Sequence, residues 1–185
     1  MEVSDEQLML DYRDGDAGAF DALYARHKGA LYRFVLRSVR DRSRAEELYQ
    51  EVWMRVVEAR LRYQPRARFR TWLYTIAHHR LVDHWRRHEP HTLSLDDEAA
   101  ALALPAAASG TQPERQAEAR QSLARLAQAI AALPAAQREA FLLQQEAGLS
   151  AAEIAAAIGA DTEAVKSRLR YAMVKLRAAL ADVGA

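Results

Sequence analysis

The chain has 185 residues, of which about half are hydrophobic and 28% are charged. This composition excludes disordered and collagen-like proteins and is enough for two small compact domains. The absence of cysteine excludes disulfides, thiolate nucleophiles and thiolate metal sites, and it fits a reducing compartment. Residues 1–6 are acidic and no long apolar run follows them, which predicts a soluble cytoplasmic protein without a signal peptide or membrane insertion.

The net charge of +1 hides a strong local asymmetry. Residues 60–87 contain eight arginines and a single acidic residue, Asp83, while residues 164–180 contain five cationic side chains and no acidic one. Two separate basic segments suit a polyanion such as nucleic acid. A pair of solvated helix faces explains the same charges, so charge alone does not identify a partner.

Periodicity along the chain predicts an all-α protein, because nowhere do apolar and polar residues alternate as a half-buried strand requires. The first domain is predicted over residues 1–90. Its helix start signals are two capping-box patterns, Ser4 with Gln7 and Ser43 with Glu46, and Asp16 as a further cap after Gly15. A last helix of this domain is expected from about residue 70 to 87, ending before Pro90.

The helix that follows Ser43 carries apolar residues on two faces. Ala45, Leu48 and Val52 form a core stripe, while Tyr49 and Trp53 lie one turn apart on another face. Either a partner protein covers the second face or a small bundle packs around the helix on two sides. The periodicity does not choose between these explanations.

Residues 91–113 combine prolines, Ser109 and Gly110 with an alanine-rich run and the acidic residues 96–98, which predicts a flexible linker. The second helical domain is predicted over residues 114–185. Its first two helices are expected over residues 114–132 and 135–147, and two further helices close the chain.

The final helix pair has the spacing of a helix-turn-helix. Ser150 and Glu153 form a capping box, Gly159 supplies the turn, and Asp161 or Thr162 can cap the last helix. A small residue at the crossing and a branched apolar residue on the second helix complete the pattern. The expected buried side of that helix consists of Val165, Leu169, Ala172, Leu176 and Leu180. Its expected outward residues are Glu163, Lys166, Ser167, Arg170 and Tyr171 towards base edges, and Arg168, Lys175 and Arg177 towards phosphates.

Several segments then look familiar together. They are AEELYQEVW at 45–53, FRTWLYTIA at 69–77, LPAAQREAFLL at 133–143, EIA at 153–155 and VKSRL at 165–169. In this order and spacing they resemble the extracytoplasmic-function (ECF) group of bacterial RNA polymerase sigma factors. The resemblance covers nearly the whole chain except the linker.

The resemblance implies a division of labour between the two domains. The first would be sigma region 2, which docks on the clamp coiled coil of polymerase core through Glu47, Gln50, Glu51 and Trp53. Its basic segment would bind the minus-ten element as single-stranded DNA, through Arg66, Arg68, Arg70, His78, His79, Arg80, Trp85, Arg86 and Arg87. The second would be region 4, which meets the polymerase flap and holds the duplex minus-thirty-five element through Glu163, Lys166, Ser167, Arg168, Arg170, Tyr171 and Lys175.

The same resemblance implies a binding module with no catalytic residue, metal or cofactor, and it allows an anti-sigma factor as a further partner. Two departures from the family pattern leave the promoter sequence open. His78-His79 stands where the family usually has Arg-Asn, and Glu163-Ala164 replaces the usual Gly-Thr before Val165.

Two rival functions remain. A metal-dependent hydrolase would use His78, His79, His84, His88 and His91, but the neighbouring arginines repel a cation and few carboxylates are near. A stand-alone helix-turn-helix regulator would bind duplex operators as a dimer without polymerase. Dependence on polymerase core distinguishes that regulator from a sigma factor.

Overall fold

The computed structural model describes residues 3–88 and 113–181, which form α-helices, one 3₁₀ turn and short connections. The elements are α1 (Asp5–Arg13), α2 (Ala17–Val39), α3 (Arg42–Ala59), the 3₁₀ turn (Arg60–Arg62), α4 (Phe69–His88), α5 (Pro113–Ala131), α6 (Ala135–Ala147), α7 (Ala151–Ile158) and α8 (Thr162–Ala181). These two stretches contain no strand, which confirms the all-α prediction. Within them, no helix combines the length and apolarity that crossing a bilayer demands. The predicted linker, apart from Pro113, lies outside the described residues.

The first helices begin and end where the capping residues predict. Ser4 Oγ accepts the backbone N–H of Gln7 at 3.2 Å, and Asp16 Oδ1 accepts that of Gly18 at 2.9 Å. Gln7 does not complete the predicted capping box, because its Nε2 donates to Asp11 Oδ1 at 2.8 Å. Gly15 has a φ of +113° after the end of α1, a conformation that glycine adopts without a steric penalty. The local sequence therefore sets both ends of α1 and the start of α2.

The predicted start of α3 is wrong by two residues. The helix begins at Arg42 because Asp41, not Ser43, is its N-cap, and Asp41 Oδ1 accepts the backbone N–H of Arg44 at 2.7 Å. Glu46 does not close a capping box with Ser43, since its Oε1 accepts from Arg42 Nε at 3.1 Å. A stronger carboxylate cap stands just upstream of the serine, and it satisfies the same exposed backbone N–H groups.

α4 begins with help from a distant part of the chain. The backbone N–H of Phe69 donates to Glu6 Oε1 on α1 at 2.7 Å. Phe69, Leu73, Ala77 and Leu81 are fully buried and form the inward face of α4, beside the half-buried Trp72 and Ile76. α1 thus fixes the start of the helix that carries most of the predicted minus-ten residues.

The two helical domains pack against each other along two helix pairs, α2 with α6 and α4 with α7. Buried apolar side chains of both domains, among them Phe34 and Leu142, form one continuous cluster. The boundaries after residues 90 and 113 stay a prediction.

Candidate polymerase and nucleic-acid interfaces

Three of the four predicted core-binding residues share an exposed face of α3. The side chains of Glu47, Gln50 and Glu51 are exposed, and their spacing of three and four residues brings them together on a helix. Glu47 Oε2 accepts from Arg44 Nη1 at 3.0 Å on this surface. We call Glu47, Gln50 and Glu51 the acidic face of α3.

Trp53, which the resemblance assigns to the same core-binding set, does not belong to the acidic face because its side chain is buried. Its side chain is 6% exposed, and its ring lies 5.0 Å from Tyr24 and 5.8 Å from Phe20, both on α2. The half-buried Tyr49 meets Tyr32 of α2 edge-on at 5.5 Å. The bundle therefore covers the second apolar face of α3 itself, as the second of the two explanations proposed.

Sequence reasoning missed an apolar side chain beside the acidic face. Met54 is 57% exposed and lies three and four residues after Glu51 and Gln50 on α3. A large apolar residue among exposed carboxylates is the residue type that interfaces use for contact area. Its signal in the sequence was the interruption of an otherwise polar helix face.

Most of the predicted minus-ten residues reach the surface of α4 or of the connection before it. Six of the nine are exposed: Arg66, Arg68, Arg70, His79, Arg86 and Arg87. The other three, His78, Arg80 and Trp85, are half-buried. Arg80 Nη2 donates to Asp83 Oδ2 at 2.6 Å, and Arg87 Nε donates to the Asp83 carbonyl oxygen at 3.1 Å. Asp83, the one acidic residue of the segment 60–87, therefore accepts hydrogen bonds from two of its arginines.

A cavity of about 500 Å³ opens beside Arg66, between the connection and α4. Its lining includes Tyr63, Gln64, Thr71 and Trp72, and the Tyr63 and Trp72 rings meet edge-on with 4.9 Å between centroids. We call it the Tyr63–Trp72 cavity. Tyr63 and Thr71 each bury a hydroxyl that has no hydrogen-bond partner among the described residues.

The Tyr63 hydroxyl is held as a proton donor. Burial raises the pKa of Tyr63 to about 12, and the nearby carboxylates of α1 add to the effect. An aromatic wall beside an arginine can bind a nucleobase by stacking while the arginine contacts its phosphate. Sequence reasoning assigned Arg66 to the site but not Tyr63, Thr71 or Trp72, since the tryptophan falls among the apolar positions of α4 that indicate core packing.

Three of the predicted minus-ten residues contact the C-terminal domain, which the sequence did not predict. The contacts are His78 Nδ1 with Glu139 Oε1 at 2.6 Å, Arg70 Nη1 donating to the Ala147 carbonyl oxygen at 3.0 Å, and Arg68 Nη1 with Glu153 Oε1 at 3.6 Å. Docking of the C-terminal domain therefore covers part of the surface predicted to face DNA.

The predicted helix-turn-helix geometry is confirmed in α7 and α8. Ser150 Oγ accepts the Glu153 backbone N–H at 3.3 Å, while Glu153 Oε2 accepts the Ser150 backbone N–H at 2.9 Å. These hydrogen bonds lower the pKa of the Glu153 carboxyl. Gly159 turns the chain with a φ of +65°, and Asp161, not Thr162, caps α8 by accepting the Glu163 N–H at 2.7 Å.

α8 has a buried side and a cationic exposed side. Val165, Leu169, Ala172 and Leu176 are buried as predicted, but Leu180 is 41% exposed because it lies in the last turn, beyond the packed part of the helix. Of the predicted minus-thirty-five residues, Glu163, Lys166, Arg170, Tyr171 and Lys175 are exposed, whereas Ser167 and Arg168 are half-buried. Glu163 Oε1 accepts from Lys166 Nζ at 2.7 Å and raises the pKa of that lysine.

The hydrolase hypothesis finds no ligand set in the described part of the chain. There, no three histidine, aspartate or glutamate side chains come together in a way that could hold a metal ion. His78 Nδ1 is hydrogen-bonded to Glu139 Oε1 at 2.6 Å. The side chain of His88 and the whole of His91 lie outside the described residues.

Comparison with known proteins agrees with this geometry. The chain matches the family Sigma-70 region 2 over residues 23–90 and the family Sigma-70, region 4 over residues 123–176. RNA polymerase sigma factor CarQ of Myxococcus xanthus is 35% identical over 178 residues, which cover 95% of this chain and 97% of CarQ. ECF RNA polymerase sigma factor SigC of Mycobacterium tuberculosis is 33% identical over 171 residues, which cover 89% of this chain and 85% of SigC. The chain belongs to the ECF RNA polymerase sigma factors.

Solved structures of similar proteins have the same fold. This ECF sigma factor is similar to CnrH, which was solved in complex with the cytosolic domain of CnrY. The TM-score is 0.69 and the sequence identity 25%, and the match covers 98% of this chain and 99% of CnrH. Sigma factor RpoE of Bartonella quintana, solved with the anti-sigma factor NepR, shares the fold at a TM-score of 0.70 and 22% identity, covering 90% of this chain and 98% of RpoE. As an ECF sigma factor, the protein directs transcription initiation and is not an enzyme, which favours that function over both rivals.

Proposed function

We propose that this ECF sigma factor engages RNA polymerase core through the acidic face of α3, the opened minus-ten strand through residues 60–87, and the duplex minus-thirty-five element through α8. The observation that carries the proposal is the exposure of one acidic and two cationic surfaces on separate elements of a single chain. Opposite charges steer each surface to a different partner. The acidic face recruits a basic protein surface, and the cationic surfaces bind phosphate.

At the minus-ten element, the Tyr63–Trp72 cavity takes a base that has left the duplex stack. Separation of the strands costs roughly 1.4 kcal/mol of stacking per base-pair step. Stacking of a base on an aromatic side chain returns about 1–3 kcal/mol. Exposed arginines such as Arg66, Arg86 and Arg87 follow the phosphates of the captured strand. Contacts with polymerase supply the rest of the free energy of opening.

At the minus-thirty-five element, the first turns of α8 enter the major groove. Lys166 and Arg170 are exposed there and point donors at base edges, while Lys175, further along the helix, binds phosphate. The Arg170 guanidinium lies 5.4 Å from the centre of the Tyr171 ring, a stacking contact that limits its motion. A restrained guanidinium loses less entropy when it binds a base.

We place the action of the protein in the cytoplasm, where polymerase core and promoters are found. CnrH and RpoE are each solved with a protein partner, the cytosolic domain of CnrY and the anti-sigma factor NepR. An anti-sigma factor is therefore the regulatory partner we propose for this chain. Its surface would compete with the polymerase and promoter surfaces described above.

The acidic face is tested by charge reversal. Glu47→Lys and Glu51→Lys should each lower retention of polymerase core on the immobilised sigma factor at least about tenfold, because each reverses a charge in an electrostatic interface. The matched control is Asp21→Lys, an exposed carboxylate on α2 outside the acidic face. Equal retention of core by the Glu47, Glu51 and Asp21 variants would contradict the assignment. Tight binding of duplex operator by a dimer without core would favour the stand-alone regulator instead.

A further inference from the structure

The cationic helix α8 carries a single acidic side chain, and it lies at the start of the helix. Glu163 is the second residue of α8, and five cationic residues follow it: Lys166, Arg168, Arg170, Lys175 and Arg177. The Glu163 side chain is 78% exposed. On a helix that binds DNA, such a carboxylate lies close to phosphates that repel it. It therefore weakens binding unless a base offers it a hydrogen-bond donor.

Capping of the helix does not explain Glu163. Asp161 Oδ1 already accepts the backbone N–H of Glu163 at 2.7 Å and that of Ala164 at 3.3 Å. These N–H groups are among those that a helix start leaves without partners, and Asp161 also places a negative charge at the positive end of the helix dipole. The Glu163 carboxylate instead meets Lys166 on the exposed face, where its Oε1 accepts from Nζ at 2.7 Å.

Glu163 is the first of a row of side chains that α8 presents opposite its buried side. Val165 and Leu169 are buried, so residues 163, 166, 167 and 170 face outwards at helical spacing. When a recognition helix lies in the major groove, its N-terminal residues are the ones that contact base edges. Glu163 and Lys166, which touch each other in this part of α8, therefore reach the same group of base edges.

Cytosine is the base that suits an ionised carboxylate in the major groove. A carboxylate accepts hydrogen bonds and donates none. The polar groups of guanine and thymine on this edge are acceptors, and adenine places an acceptor, N7, beside its amino group. Cytosine presents the N4 amino donor. At the other bases a carboxylate loses water and faces an acceptor, which is unfavourable.

The separation of Glu163 and Lys166 matches that of the polar groups of a C·G base pair. Within the pair, cytosine N4 donates to guanine O6, and such an N–H···O hydrogen bond has a heavy-atom distance of about 2.9 Å. Glu163 Oε1 and Lys166 Nζ lie 2.7 Å apart, acceptor beside donor. The carboxylate can accept the second hydrogen of N4 while the ammonium donates to O6 or N7 of guanine. Each donor then has an acceptor, and the ion pair is kept.

We propose that Glu163 and Lys166 together read one C·G base pair of the minus-thirty-five element, Glu163 selecting the cytosine and Lys166 its paired guanine. The inference rests on the proposed placement of α8 in the major groove of that element. Glu163 acts by exclusion, because at other bases its charge is left facing an acceptor. Arg170, one turn further along α8 than Lys166, reads a separate position.

The test is selection from a promoter pool with a randomised minus-thirty-five element, using polymerase holoenzyme that contains the full chain. In the wild type, one position should favour cytosine over each other base by about tenfold. Glu163→Ala should abolish the preference at that position and leave the other positions unchanged. Glu163→Gln should raise adenine there at least to the level of cytosine, because a glutamine amide donates to adenine N7 and accepts from N6.

Lys166→Ala tests whether the two residues read the same base pair. It should lower the preference at the position that Glu163→Ala affects, and the double variant should lose less than the product of the two single fold-changes. Asp21→Asn removes an exposed negative charge from α2 and is the matched control, with the wild-type preference expected. Because Glu163 and Lys166 are exposed and Asp161 caps the helix, all variants should give the wild-type circular dichroism spectrum.

Three results would overturn the inference. They are an unchanged preference in Glu163→Ala, continued rejection of adenine by Glu163→Gln, and losses at different positions in Glu163→Ala and Lys166→Ala. If one of them occurs while Arg170→Ala changes the preference at its own position, α8 still reads the minus-thirty-five element and the proposed function stands. An unchanged preference in the Glu163, Lys166 and Arg170 variants alike would contradict the proposed function as well.

Discussion

Arg33 Nε lies 2.7 Å from Glu146 Oε2, although 113 positions separate the two residues in the chain. The contact joins α2 of region 2 to α6 of region 4 through a carboxylate that has almost no contact with water. Removal of Arg33 leaves this poorly solvated carboxylate with Arg37 as its other partner, so the two cations of α2 favour one arrangement of the domains. The contact therefore holds α6 against α2.

Trp53 should be essential for stability. Trp53→Ala removes a buried indole from its contacts with Phe20 and Tyr24, and large-to-small changes of this kind cost about 3–5 kcal/mol. Met54→Ala, one position along α3 but exposed, should change the free energy of unfolding by less than about 0.5 kcal/mol. Urea unfolding of both variants tests this difference, and similar losses in the two would contradict the packing described for α3.

His27 should make stability depend on pH. Burial lowers the pKa of His27 even though the Asp5 carboxylate opposes that shift. A neutral histidine is therefore favoured in the folded state, and its contribution is present above its ordinary pKa of 6.5 and is lost as the pH falls below that value.

Asp5, which lies 2.8 Å from His27, adds an effect of the same sign at more acidic pH. Burial raises its pKa, but the Arg26 hydrogen bond and the charge of His27 outweigh burial and bring the pKa below 3.8. Urea unfolding at pH values of about 7.5 and about 5 should show a larger loss of stability in the wild type than in His27→Gln. Equal losses in the two proteins would show that His27 does not contribute.

Arg66 should bind the captured strand through its charge. In the polymerase holoenzyme, Arg66→Ala should weaken binding of a labelled minus-ten strand equally for all sequences. It should also reduce the slope of log affinity against log salt by about 0.7, the value for one phosphate contact to a single strand. Arg55→Ala, an exposed arginine paired with Glu58 on α3, serves as the control. A change in sequence preference without a change in slope would assign Arg66 to base recognition.

Arg170 should read a base pair of the upstream element. Its loss in Arg170→Ala should reduce discrimination at one position by about 1–3 kcal/mol, as expected for a side chain that bonds a base edge in the major groove. Lys175→Ala should lower binding of every sequence alike, because a phosphate contact carries no base information. Selection from a randomised promoter pool with holoenzyme measures both effects. An unchanged base preference in the Arg170 variant would show that Arg170, like Lys175, contacts only phosphate.

Local features of the fold followed from local sequence. Some features depend only on residues a few positions apart: the capping box at Ser150 and Glu153, the cap at Asp16 and the turn at Gly159. Short sequence patterns were therefore sufficient to predict them. The prediction of the start of α3 failed because Asp41 and Ser43 can both cap a helix, and the hydrophobic periodicity does not indicate which of the two residues is the N-cap. The cationic character of the exposed face of α8 was likewise predictable. Once the apolar positions identify the buried side of a helix, the remaining residues must form its exposed side.

The parts of the site that escaped prediction depend on contacts between distant segments. Periodicity found the second apolar face of α3, but only the packing of Phe20 and Tyr24 shows that α2 covers it. The ion pair of Arg33 with Glu146 involves two charges that appear, in sequence, as ordinary solvated helix positions.

The most direct test of the function is transcription in vitro with purified polymerase core, with and without this sigma factor, on a pool of genomic fragments. We expect core alone to start RNA at no specific site, and addition of the protein to yield discrete transcripts whose start sites share two upstream elements. Transcripts that are identical with and without the protein would contradict it.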